Sequence, residues 1–136
     1  MKSKGKSNKS KQQQVDFYTK KDILQRIKVT EDITEILEYT TNQDNEIRLA
    51  ATSQLCPCKV QEDVPEFWDR VFELADDLDA KIRARVLHII CDGSPNRLQN
   101  EVMDALYKFN RDSDQEIRRQ AHKVIAKAQK GTWNVL

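Results

Sequence analysis

The chain has 136 residues, 38% of them hydrophobic and 33% charged, with a formal net charge of +1. That is the size of one domain, and only three Gly and three Pro leave few tight turns, which favours helices over a strand-rich fold. No apolar run approaches the ~18 residues of a membrane span, no apolar segment follows the basic N-terminus as a secretory signal requires, and three cysteines suggest no disulfide framework.

A soluble protein with free thiols in a cytoplasmic compartment is therefore expected. The small net charge hides an asymmetry. Residues 1–28 carry nine basic side chains against Asp16 and Asp22, a balance of +7. The rest holds 14 basic and 20 acidic side chains, a balance of −6.

In chain order, residues 1–14 (MKSKGKSNKSKQQQ) have one apolar side chain, Met1. Such a segment cannot bury enough surface to offset its ordering entropy, so a disordered arm is predicted. Its lysines fit a phosphate-contacting arm, a solubilising tail, or a segment that folds back on an acidic body. Residues 15–28 (VDFYTKKDILQRIK) place Phe17, Ile23, Leu24 and Ile27 on a leading helix.

A repeat of 35 residues follows. Asp44-Asn45-Glu46-Ile47-Arg48 recurs as Asp79-Ala80-Lys81-Ile82-Arg83 and as Asp114-Gln115-Glu116-Ile117-Arg118. Ala51, Val86 and Ala121 lie four residues after each isoleucine, and Leu55, Ile90 and Ile125 lie eight after it. Upstream, Ile33, Ile36 and Leu37 match Trp68, Val71 and Phe72, and then Met103, Leu106 and Tyr107. These spacings of three and four give one face of an amphipathic helix. The unit reads helix, polar turn (TNQDN, ADDLD, NRDSD), helix, with the recurrent Asp as N-cap of the second helix. Repeats over about 30–58, 60–93 and 95–131 are predicted, with a tail at 132–136. Three hairpins that bury their apolar faces against each other predict an all-α fold, a short α-solenoid.

The Asp-x-x-Ile-Arg motif, with a small residue four after the isoleucine and an apolar one eight after it, resembles the HEAT repeat family, in its short bacterial HEAT-like form. The resemblance covers about residues 30–130. It implies that Asp44, Asp79 and Asp114 and Arg48, Arg83 and Arg118 are structural, forming a ladder between successive repeats. It also implies binding or scaffold work more than catalysis, since no catalytic motif of the family's enzyme relatives is recognisable.

No phosphate loop, nucleophile elbow or metalloprotease motif is present. The carboxylates Glu62, Asp63, Glu66, Asp69, Glu73, Asp76, Asp77 and Asp79 read as the solvated face of a first helix and the turn after it, a ridge that can also attract a basic partner or the chain's own arm. On the second helices, Lys81, Ala84, Arg85, His88 and Cys91 point outward, as do Glu116, Arg119, Lys123 and Lys127. Arg85, His88, Arg119, Lys123 and Lys127 are therefore the candidate contact residues, for an acidic protein partner or for nucleic acid; ordinary surface charge gives the same pattern.

Cys56, Cys58, His88 and Cys91 form a zinc-compatible set at unfavourable spacing, and an accessory role in an enzyme or metal system is the remaining alternative. Cys56 aligns with Cys91, and Pro57-Cys58 with Asp92-Gly93, so the thiols mark helix ends. No metal, cofactor or catalytic residue is assigned. The expected role is a non-enzymatic protein-interaction adaptor. Trp68 is a core residue by its equivalents. Trp133 covers the last repeat or is offered to a partner.

Overall fold

The computed structural model describes residues 20–55 and 63–130, and every regular element among them is helical. The expectations for the arm at 1–14, for Cys56 and Cys58, and for Trp133 and the tail lie outside the described residues. The chain divides into two compact units, Met1–Gln54 and Leu55–Leu136.

In the first unit, helix α1 covers 20–29, α2 Ile33–Tyr39 and α3 Asn45–Ser53. Asp32 caps α2 by accepting from the backbone N–H of Thr34 at 3.0 Å, and its own N–H donates to Thr30 Oγ1 at 3.1 Å. The break between α1 and α2 is therefore built by short polar side chains rather than by glycine. Helix α2 packs on α3, and Ile27, Ile36, Ile47 and Ala51 are buried. Arg26 Nε donates to both oxygens of Glu35, at 2.9 and 3.1 Å, and so ties α1 to α2. Lys20 Nζ bridges Asp44 and Glu46, at 2.9 and 3.4 Å, and ties α1 to the start of α3.

In the second unit, α4 is Pro65–Leu74, α5 Ala80–Cys91, α6 Gln99–Phe109 and α7 Gln115–Gln129. Pro65 opens α4, where its missing N–H leaves no intrahelical bond unmade. Helix α5 stops at Asp92, and Gly93 follows with φ 146°, a left-handed-side value that only glycine adopts without strain. A 3-10 turn, Asn96–Leu98, then leads into α6. Helix α4 packs on α5 and α6 on α7, while α5 also meets α6 and α7. Phe67, Trp68, Val71, Leu74, Val86, Ile90, Val102, Leu106 and Phe109 are all buried. Each such side chain contributes roughly 1.5–3 kcal/mol of transfer free energy. Trp68 stands edge-on to Phe67 with centroids 4.9 Å apart.

The turn before each second helix is made the same way three times. The side chain of Asn42, Asp77 or Asp112 accepts from the N–H two residues on, at 2.8, 2.9 and 2.8 Å. The next Asp caps the helix: Asp44 takes the N–H of Glu46 at 2.8 Å, Asp79 that of Lys81 at 2.9 Å, and Asp114 that of Ile117 at 3.0 Å. The Arg one turn into the helix reaches back over the turn. Arg48, Arg83 and Arg118 donate through Nη1 to the carbonyls of Asn42, Asp77 and Asp112, at 3.0, 2.8 and 2.7 Å. A turn closed by an Asx side chain, a cap and a guanidinium needs no glycine. That is why so few glycines suffice.

The apolar register of the second helices has the 35-residue period. Ile47, Ile82, Ile117, Ala51, Val86, Ala121, Leu55, Ile90 and Ile125 are all buried. The first helices keep it less strictly, since Tyr107 is 46% exposed where Phe72 is half-buried. Arg83, on α5, joins its helix to the turn between α6 and α7. Its Nε and Nη2 clamp Asp112, at 2.9 and 3.0 Å, with both side chains almost out of solvent. The acceptor is thus Asp112, the turn residue, and not the capping Asp114 that the HEAT resemblance implies. Asp112 Oδ1 also accepts the Asp114 N–H, which holds the carboxylate in place for the fork.

Candidate functional site

Helices α5 and α7 lie against each other, and their outward sides carry the five candidate contact residues. Arg85, His88, Arg119, Lys123 and Lys127 are all exposed. Between the N-terminal halves of the two helices is a notch of about 190 Å³. Ala80, Ala84, Leu87 and Ile117 give it an apolar floor, and Lys81, Asp114, Glu116 and Gln120 stand around it. It exists because α5 presents two alanines where a longer side chain would fill the space. Arg85 follows Ala84 directly, His88 is one turn beyond it, and Lys123 is one turn beyond Gln120. The edge of the recess itself carries both signs, Lys81 against Asp114 and Glu116, and an apolar recess of this kind can take the side chain of an incoming segment.

The rim is less positive than its sequence suggests. Arg119 clamps Glu116 through Nε and Nη2, at 2.9 and 2.8 Å, and Gln120 donates to the same carboxylate at 2.8 Å. The Arg119 bonds, followed by that from Gln120, pull the Glu116 carboxyl down to about 2. Glu116 in turn raises Arg119 above the usual guanidinium range. Lys127 also takes part in an interaction. Arg85, His88 and Lys123 are then the groups best placed to meet a partner. Helical spacing shows that Glu116 and Arg119 are neighbours, but it does not show that Gln120 joins them in one network.

Cys91 is half-buried rather than fully outward-facing. Burial, with help from Asp92, pushes its thiol up to about 11. This is the opposite of what a thiolate nucleophile or metal ligand needs. Among the described residues no three His, Cys, Asp or Glu side chains are grouped to hold a metal ion. The set of Cys56, Cys58, His88 and Cys91 is only half within the described residues.

On the other side of the hairpins the acidic ridge is real but partly paired. Asp63 takes Arg97, with Nη2 at 2.7 Å. Glu73 takes Arg70 at 2.8 Å, and Asp76 takes Lys108. A wide groove of about 650 Å³ runs between α4 and α6, floored by Phe72, Ala75 and Ala105. The sequence shows its carboxylates as a ridge. Its depth depends on the small residues Ala75 and Ala105 standing across from each other, which no local pattern reveals. No described helix is long and apolar enough to cross a membrane. Comparison with family models, with curated proteins and with solved structures finds no match.

Proposed function

We propose that the chain is a short α-solenoid of HEAT-like repeats, and that it works as a non-enzymatic adaptor which docks a protein partner on the outward side of α5 and α7. The observation that carries this reading is the notch between those helices. Its apolar floor of Ala80, Ala84, Leu87 and Ile117 has Lys81 beside it, and the same two helices carry exposed Arg85, His88 and Lys123. Interfaces draw most of their energy from a few anchors in desolvated recesses, while rim charges set orientation and rate. The partner segment is accordingly acidic, with an aliphatic anchor. The turn built identically before α3, α5 and α7 supports the repeat reading.

Nucleic-acid contact through the same row is the weaker reading, because Glu116 stands in the row and holds Arg119. The test fills the notch and reverses the rim. Ala84→Lys, and separately Arg85→Glu with Lys123→Glu, are compared with the unaltered chain for co-purification of partners from the native host. Both variants are expected to lose the same bound protein while keeping their helical circular dichroism. Undiminished capture by folded variants removes the reading.

A further inference from the structure

The groove between α4 and α6 has no part in the role proposed above, and its construction differs from that of a plain solvated face. Phe72 lies in its floor, backed by Trp68 at a centroid distance of 6.4 Å, and Ala75 and Ala105 complete the apolar strip. Five carboxylates edge it: Asp69 and Glu73 on α4, Asp76 in the turn after it, and Glu101 and Asp104 on α6. The cations bonded to them are Arg70, on Glu73, and Lys108, on Asp76. Among the described residues Asp69, Glu101 and Asp104 are bonded to no cation. Arg97, whose guanidinium is held up chiefly by its bond to Asp63, feels Asp69 and Glu101 only through space.

An apolar floor between anionic edges fits a side chain that is apolar along its stem and cationic at its tip. Lysine is that side chain: its methylenes cover apolar surface while the ammonium stays at the wet edge. The chain itself carries such lysines in a pattern that suits the groove. Residues 1–14 hold Lys2, Lys4, Lys6, Lys9 and Lys11 and no acidic residue, with Ser, Gly or Asn among the intervening positions. In an extended segment, alternate side chains share one edge about 6.6 Å apart. Carboxylates one helical turn apart repeat at about 5.4 Å. Lys2, Lys4 and Lys6 can therefore meet successive carboxylates of α4 and α6, with only Ser3 and Gly5 between them.

We propose that the α4–α6 groove takes the Lys-rich segment 1–14 of a second copy of this chain. Each copy then offers one segment and one groove, so the pairing closes reciprocally in a two-fold dimer. Excess positive charge at one end of the sequence and excess negative charge in the remainder supply the attraction, which is salt-sensitive because both edges are exposed.

The experiment is sedimentation of the full chain over a range of concentrations, in low and in high salt, with three companions. These are a chain lacking residues 1–14, the exposed double variant Asp69→Lys with Asp104→Lys, and a synthetic peptide of residues 1–14. The full chain is expected to dimerise in low salt and to lose about tenfold or more in affinity on going to high salt. Deletion and double variant are expected to be monomeric with unchanged circular dichroism. The peptide is expected to bind the deleted chain but not the deleted chain that also carries the double variant. A dimer that survives the deletion overturns the proposal. So does a full chain that stays monomeric at every concentration, including the case in which the peptide still binds the deleted chain, which makes the occupant something other than a second copy's segment. Equal binding of a peptide of the same composition with its lysines contiguous overturns the argument from alternation.

Discussion

Replacing Arg83 with alanine tests the reasoning about the turns most directly. Arg83 makes two charge-assisted bonds to Asp112 and donates to the carbonyls of Asp77 and Leu78, at 2.8 and 3.2 Å. The pair is 13% and 8% exposed by side chain, so it behaves as a buried ion pair. Removing one partner of such a pair strands the other, at a cost of about 3–5 kcal/mol in typical cases. Asp112 keeps the N–H of Asp114, which softens the stranding. A loss of about 3 kcal/mol is therefore expected for Arg83→Ala.

Arg118 is the internal control. It occupies the same position 35 residues on, reaches its own turn through Nη1 to the Asp112 carbonyl, and is exposed. Arg118→Ala should cost about 0.5–1 kcal/mol. Urea unfolding followed by tryptophan fluorescence reads the right part of the molecule, since Trp68 is buried in the second unit. A double-mutant cycle of Arg83→Ala with Asp112→Ala should give a coupling of about 2 kcal/mol. Equal losses for Arg83→Ala and Arg118→Ala, or a coupling near zero, would refute the view that the Arg83–Asp112 clamp holds the two hairpins of this unit together.

Acid sensitivity, thiol reactivity and helix capping give three more measurable outcomes. Burial pushes the Asp112 carboxyl up, but the bonds from Arg83 and the Asp114 N–H outweigh it and leave the group below its usual range. A depressed folded pKa gives stability that is complete above the unfolded value near 4 and is lost as pH falls through the folded one. The urea midpoint should therefore drop below about pH 4, and Asp112→Asn should be weaker at neutral pH yet less sensitive to acid. Cys91, raised to about 11 by burial, should react with a disulfide reagent near neutral pH about a hundredfold more slowly than an exposed thiol in a Cys56→Ser, Cys58→Ser background; a fast reaction would mean that α5 frays at its C-terminus. Asp79→Ala removes the cap on the Lys81 N–H and should cost about 1 kcal/mol by thermal unfolding, with Asp79→Asn close to neutral.

The second helices were legible in the sequence because burial and period coincide there. Ile82, Val86 and Ile90 fall on one face by simple spacing, and so do Ile117, Ala121 and Ile125. The caps were legible for a local reason: an Asp just before a periodic apolar run has free N–H groups within reach. The ladder rung was only half legible. Arg83 was marked by its recurrence at the 35-residue interval, but its acceptor depends on which turn carboxylate stands within reach of its guanidinium, and no sequence spacing gives that. The recurrence of Asn42, Asp77 and Asp112 at the same interval was the available signal. Neither the notch nor the groove was legible, because each is a gap between two helices defined by the smallness of Ala84, Ala75 and Ala105. Cys91 was misplaced for a related reason. A helical wheel gives direction within one helix and says nothing of what stands opposite its last turn.

The outer side of α7 explains how one hairpin can face another on one flank and water on the other. Helix α5 turns Ala80, Ala84 and Leu87 toward α7, small and apolar residues that allow close approach. Thirty-five residues on, those positions are Gln115, Arg119 and His122, all exposed. A further hairpin laid on α7 in the same manner would bury Arg119 with its Glu116 partner, and desolvating that pair would offset much of the gain from contact. Arg118 completes the pattern. Its counterpart Arg83 clamps a carboxylate of the next turn, whereas Arg118 holds its own turn's carbonyl in water. The sequence period therefore persists through the third hairpin in the core positions, which stabilise the pair of helices itself. It lapses in the flank positions, which would have to recruit another pair.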